Sequence, residues 1–343
     1  MGNSIERLGN PAVFQATWNP SITHLKPSFS DKVKRIFFYF LQNLATKFIL
    51  QTNNKSSKEV QFVEKRFNEF WYGNISHQQG NQVLRDTFSA SSSRLTTPDG
   101  INLSSTYLKH KHAPQNAKTV ILFQPNAALS KGSTFEWLFY KSIETGTPTH
   151  FILFDYRGGG TSKGKVWNSK QVILDGETVY QFAKDHLKVP EHLIDLYGYS
   201  FGGVVSAEVK DLHLQNTGRF VNERSFSSLE EEIKHLLPRF FSGFAAKLLK
   251  FVGWSLNASN ALKNSLGQKL IVYHPEDPVV PYKASTAHFF QQKLSYKKEV
   301  EVIKLDKAVG YTGNHHCIPL VAYTGTPVSP AERVSDFIFS KTF

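Results

Sequence analysis

Leu193-Ile194-Asp195-Leu196-Tyr197-Gly198-Tyr199-Ser200-Phe201-Gly202-Gly203-Val204-Val205 decides the fold of this chain. Leu193 to Tyr197 reads as a buried strand, and a helical pattern runs from Val204 to about Leu214. Between them, Gly198-Tyr199-Ser200-Phe201-Gly202 fits G-x-S-x-G. This is a strand-to-helix turn so tight that side chains at the elbow glycines, Gly198 and Gly202, would clash. Such a turn lifts the hydroxyl of Ser200 above the edge of a sheet, where a nucleophile must stand. The competing reading is a glycine-rich turn with a capping serine. The strand before and the helix after favour the nucleophile.

Working outward, short apolar strands alternate with helical stretches. Arg94 to Thr97, Pro98-Asp99-Gly100 and Ile101 to His110 form a hairpin with a tight turn. Strands follow at Val120–Phe123, Phe151–Phe154, Phe220–Val221, Leu270–Tyr273 and Val300–Leu305. Helices are expected between them, for example at Thr178–Leu187. Apolar strands separated by helices imply a mainly parallel sheet covered on both faces. From about Phe226 to Gly267 the strand pattern stops. Two short phenylalanine-rich helices around Pro238 are expected there, as an inserted lid.

Residues 1 to 85 read as a helical extension, leaving 86 to 343 for the main domain. Ser30 would cap a helix whose apolar face carries Val33, Ile36, Phe37, Phe40, Leu41, Leu44, Phe48 and Ile49. Lys32, Lys34, Arg35 and Lys47 flank that face. Packing on the main domain is favoured over lying on a membrane surface. A second helix runs from Glu59 to Tyr72, and Gly73 can stop it.

An activated serine needs a base, and the base needs an orienting acid. The acid should follow the next-to-last strand and the histidine the last one. Asp277, in His274-Pro275-Glu276-Asp277-Pro278-Val279-Val280-Pro281, meets the first condition, with Glu276 as its rival. After the last strand, Gly313-Asn314-His315-His316-Cys317-Ile318-Pro319 offers two histidines. His316 is preferred as the base and His315 is the alternative. Cys317 is expected as a buried thiol. A metal site built from adjacent residues 315 to 317 is disfavoured, because neighbouring side chains point apart. The oxyanion hole needs two backbone N–H donors. Phe201 supplies one. Pro125 has no N–H, so the other falls to Asn126, with Ala127 as the alternative.

The 343 residues carry a net charge of +12. The lysines are scattered, with no basic run interleaved with stacking aromatics. Nucleic acid is therefore excluded as a partner, and peripheral contact with an anionic membrane is allowed. A single cysteine permits no internal disulfide. The chain shows no secretory signal pattern and no apolar run long enough to span a bilayer. It is expected in the cytoplasm, or carried into a host cell by a signal-independent system.

Asp155-Tyr156-Arg157-Gly158-Gly159-Gly160-Thr161-Ser162-Lys163-Gly164 resembles the D-Y-R-G-x-G-x-S-x-G loop of α/β hydrolases. It is most like their acylglycerol-lipase, thioesterase and peptidase-like branches. Gln124-Pro125-Asn126-Ala127 is similar to the H-G-N-A oxyanion loop of that branch, with Gln-Pro in place of His-Gly. The resemblance covers residues 93 to 343. It implies an α/β-hydrolase fold with helices on both faces of a mainly parallel sheet. The helical lid insertion and the N-terminal helical extension, read above from the residue pattern, depart from the family's housekeeping members. It also implies a serine hydrolase acting on a lipid or acyl ester without a cofactor. The helical extension and phenylalanine-rich insertion resemble hydrolase-like effectors of intracellular bacteria such as Legionella and Chlamydia. The alternatives are a catalytically silent binding module and an acyltransferase. The oligomeric state is left open.

Overall fold

A computed structural model describes residues 13–15, 56–72, 79–126, 128–292, 299–325 and 327–340. The helix expected over residues 33–49, its cap at Ser30, the stop at Gly73 and the alternative oxyanion donor Ala127 lie outside the described residues.

Among the described residues, nine strands form one sheet. They are β1 Val13–Gln15, β2 Phe88–Thr96, β3 Asn102–His110, β4 Thr119–Phe123, β5 His150–Phe154, β6 Ile194–Tyr199, β7 Phe220–Glu223, β8 Lys269–Tyr273 and β9 Val300–Lys304. Their order is β1-β2-β3-β5-β4-β6-β7-β8-β9. β3 runs antiparallel to β2 and β5, and every other pairing is parallel. The hairpin forms as expected, with Thr96 opposite Asn102, but β2 starts six residues earlier than the apolar pattern suggested. Its added residues are mostly serines, which carry no hydrophobic signal.

The central strands are buried on both faces, which explains their unbroken apolar runs. Ile121 and Phe123 join one half of the core with Ile152, Phe154 and Leu196. Val120 and Leu122 point into the other half with Phe151, Leu153 and Tyr197. Helices α4 Ser169–Gln181 and α5 Phe201–Leu212 cover the first face. Helices α3 Glu136–Glu144 and α10 Pro330–Phe339 cover the second. Local signals set their ends: the Asn168 side chain caps α4, and Ser329 and Glu332 form a capping box on α10.

The described part of the expected N-terminal extension holds strand β1, paired to β2 at the sheet edge, helix α1 Ser57–Tyr72 and most of helix α2 Gln79–Thr87. α2 runs directly into β2, so the expected boundary at 85/86 falls inside a continuous helix–strand unit. The insertion after β7 has three helices, not two: α6 Leu229–Leu236, α7 Arg239–Phe251 and α8 Ala258–Asn264. α8 is only seven residues long. Its few apolar positions, Ala258, Ala261 and Leu262, leave too little periodicity to read, but they are buried. Helix α9 Thr286–Gln291 lies between β8 and β9.

Candidate active site

β6 ends at Tyr199, and α5 starts at Phe201. Ser200 alone makes the turn, at φ 53° and ψ −121°. A non-glycine residue in this region is strained. The surroundings hold it there: Ser200 N–H donates to the Glu223 carbonyl at 2.8 Å, and Gly203 N–H donates to the Ser200 carbonyl at 2.9 Å. The close approach of α5 to β4 needs glycine at 202, where a Cβ would lie 2.1 Å from the Phe123 carbonyl oxygen. At Gly198 a Cβ would meet the Gly202 carbonyl oxygen at 2.4 Å.

Three distant segments meet at this elbow. His316 Nε2 lies 2.8 Å from Ser200 Oγ, and His316 Nδ1 lies 2.8 Å from Asp277 Oδ2. The other oxygen of Asp277 accepts N–H bonds from Val279 at 2.8 Å and Val280 at 2.9 Å. The Asp-Pro-Val-Val turn thus aims the free carboxylate oxygen at the imidazole. All three side chains are buried. Glu276, next to Asp277, is exposed.

His315 faces away from Ser200. Its ring stacks on His274, with centroids 3.8 Å apart and planes 8° apart. His274 Nδ1 accepts the Glu276 N–H at 3.0 Å, leaving Nε2 to donate to the Asp306 carbonyl at 3.0 Å. Cys317 is exposed, contrary to the buried thiol expected. Along this loop His316 and Ile318 point inward, so the residue between them points out.

Sequence reasoning missed three buried ionisable side chains here. Arg224 follows β7 and sits under the histidine loop. Its Nη1 donates to the carbonyls of His315 at 2.8 Å and Ile318 at 2.6 Å, and its guanidinium lies 4.7 Å from the Tyr199 ring centroid. Glu223 pairs with it, and the Tyr199 hydroxyl donates to the His316 carbonyl. The one available signal was a Glu-Arg pair shortly after the apolar Phe220-Val221 of a short strand. The third is Glu232, buried on α6. Its Oε2 has no hydrogen-bond partner among the described residues. Burial and the nearby charge of Asp277 push its carboxyl up to about 8.

The first N–H groups of a helix have no intrahelical acceptor. Phe201 N–H, at the start of α5, is such a donor beside Ser200. Asn126 lies in the turn three residues beyond the end of β4, partly exposed. Gln124, where the resemblance expects histidine, is buried, and neither side-chain amide atom has a partner among the described residues.

The Asp155–Gly164 loop serves as a brace. Arg157 Nε reaches Asp175 on α4 at 2.8 Å, and its Nη1 reaches Asp99 in the hairpin turn at 2.6 Å. Asp155 accepts the Ser130 N–H at 2.7 Å. This ties the hairpin, α4 and the turn after β4 together beneath the site.

No family model matches the chain. It is 27% identical over 212 residues to the lysophosphatidylserine lipase ABHD12 of Danio rerio, covering 57% of this chain and 54% of that protein. It is 23% identical over 145 residues to protein bem46 of Schizosaccharomyces pombe, covering 42% of this chain and 47% of that one. The chain thus spans about half the length of these curated relatives. An esterase of Pyrococcus furiosus superposes with a TM-score of 0.54 at 17% identity, over 77% of this chain and 94% of its own. An acetyl xylan esterase from Paenibacillus sp. R4 superposes with a TM-score of 0.55 at 13% identity, over 84% and 98%. At these identities the superpositions establish the fold.

Proposed function

We propose that this chain, which has the fold of the α/β-hydrolase superfamily, is a serine hydrolase of carboxylic esters. The reading rests above all on one feature: the hydrogen-bonded line from Ser200 Oγ through both ring nitrogens of His316 to Asp277. Ser200 attacks the ester carbonyl while His316 Nε2 takes its proton. Asp277 keeps the proton of His316 on Nδ1 and stabilises the imidazolium. The N–H groups of Phe201 and Asn126, or Ala127 in place of Asn126, hold the oxyanion. His316 returns the proton to the departing alcohol, leaving an acyl-enzyme. A water, deprotonated by the same imidazole, then releases the acid.

A lipid or long acyl ester is the favoured substrate class. The lipase and esterase names of the relatives and fold neighbours support an ester. The apolar insertion at 226–267 supports an acyl chain, and we assign it as a lid. It is joined to the site through Phe226, which bridges Ser285, and Ser227, whose N–H donates to the Ala284 carbonyl at 2.7 Å.

The test is reaction with a fluorophosphonate probe, followed by peptide mapping and an ester series of increasing chain length. Labelling confined to Ser200, absent in Ser200→Ala, is the expected result. A folded protein that stays unlabelled with and without detergent would overturn the reading in favour of a silent binding module.

A further inference from the structure

Helix α7, Arg-Phe-Phe-Ser-Gly-Phe-Ala-Ala-Lys-Leu-Leu-Lys-Phe, has apolar residues on both of its faces. Its inner face is ordinary. Ser242 and Ala246 are buried, and Ala245 and Leu249 pack on the core. Its outer face should then be polar, as on other surface helices. Instead Phe240 is 78% exposed, Phe244 70%, Phe241 56% and Phe251 49%. Phe240, Phe244, Lys247 and Phe251 follow one another at helical spacing along a single stripe. Leu236, the last residue of α6, and Leu237, in the turn before α7, are also exposed. Scattered exposed apolar residues need no explanation, but a contiguous patch of this kind marks an interaction surface.

The charge around the patch narrows the partner. α7 contains no carboxylate, while Lys247 and Lys250 are exposed on it. The nearby Lys234 is already paired with Glu230 and Glu231 on α6. The whole chain carries a net charge of +12. Large aromatics with lysines beside them, on a helix lying flat on the surface, suit the boundary between anionic headgroups and acyl chains. A second copy of the chain suits it less, because the same lysines would face each other across a two-fold axis.

We propose that the outer face of α7 docks this protein onto an anionic phospholipid bilayer, with Phe240 and Phe244 inserted and Lys247 and Lys250 on the headgroups. The two-residue gap between α6 and α7 places this surface one helix away from Glu232 and, through it, from Asp277. Docking is independent of the hydrolytic reading, because it requires no turnover.

The test is co-flotation of the full chain with vesicles of phosphatidylcholine and phosphatidylserine in equal parts, and with pure phosphatidylcholine vesicles. Wild type and Ser200→Ala should both float with the anionic vesicles. Phe240→Ala with Phe244→Ala should weaken that binding by on the order of 10-fold or more. Lys247→Glu with Lys250→Glu should abolish the preference for the anionic lipid. These side chains are exposed, so unchanged melting temperatures should accompany both variants. Three results would each overturn the proposal: no flotation of wild type, flotation unaffected by either variant, or a concentration-dependent dimer in sedimentation that the phenylalanine variant dissolves.

Discussion

The Arg224 guanidinium bonds to the backbone on both sides of His316: to the carbonyl of His315 at 2.8 Å and to that of Ile318 at 2.6 Å. A buried cation just after β7 therefore fixes the loop that carries the imidazole to Ser200. Arg224→Met should lower kcat with little change in KM. It should also destabilise the protein by about 3–5 kcal/mol, because Glu223 is left buried and unpaired. Adding Glu223→Gln should restore much of the stability but not kcat. Recovery of both would reduce Arg224 to a structural ion pair.

If Asp277 orients His316, Asp277→Asn should reduce kcat by about 10⁴ while fluorophosphonate still finds Ser200, more slowly. Ser200→Ala should be inert and keep its melting temperature, because the Ser200 hydroxyl contacts only the imidazole in the described hydrogen bonds. Steady-state kinetics beside thermal melts would separate the two.

The two neighbouring histidines should behave differently. His316→Ala should match Ser200→Ala in severity. His315→Ala removes a ring stacked on His274 but leaves the carbonyl held by Arg224 and Tyr323 in place. It should retain most of its activity. Equal losses in both variants would contradict the assignment of the base.

Glu232 should make stability fall as pH rises. Its carboxyl is pushed from an ordinary 4.5 up to about 8 in the folded chain. Between those values the folded state keeps a proton that the unfolded state has released. The stabilisation is therefore fully present below about 4.5 and is lost as pH climbs through 8. Buried Asp155 and half-buried Glu208, pushed up to about 6 and about 7, act in the same direction. Glu232→Gln should gain stability relative to wild type across this window, with the gain complete above it. Urea titrations at a series of pH values would read it. A pH-independent difference would show that Glu232 does not hold its proton.

Two glycine-to-alanine changes should have opposite signs. At Gly202 the new Cβ would meet the Phe123 carbonyl oxygen at 2.1 Å, so β4 and α5 must separate. Gly202→Ala should lose fluorophosphonate labelling and much of its stability. At Gly243, inside α7, nothing lies within 4 Å of the added Cβ. There the substitution should stabilise by about 1 kcal/mol through helix propensity alone. Thermal denaturation of both would test the contrast.

The strands of this protein were legible because those at the sheet centre are buried on both faces and must be apolar throughout. Leu270–Tyr273 and Phe151–Phe154 stand out for that reason, and the structure extends each by only one residue. The serine-rich start of β2 was not legible, because Ser89 to Ser93 are held mainly by backbone pairing to β3, with only Phe88 ahead of them fully buried. Helix α8 was hidden because it is short and is stabilised by packing, with Asn257 as its cap.

The sequence by itself determined the α/β architecture, the elbow at Ser200 and the order in which serine, acid and histidine occur along the chain. All of these depend on local periodicity, or on glycines required within a few residues of one another. Only the tertiary structure decided which histidine turns inward, that Cys317 turns outward, that Arg224 lies beneath that loop, and that α7 leaves its phenylalanines exposed. Those outcomes depend on which segments meet in space across the sheet. The placing of the histidine loop is set by contacts between residues about 40 to 116 positions apart, which no local pattern encodes.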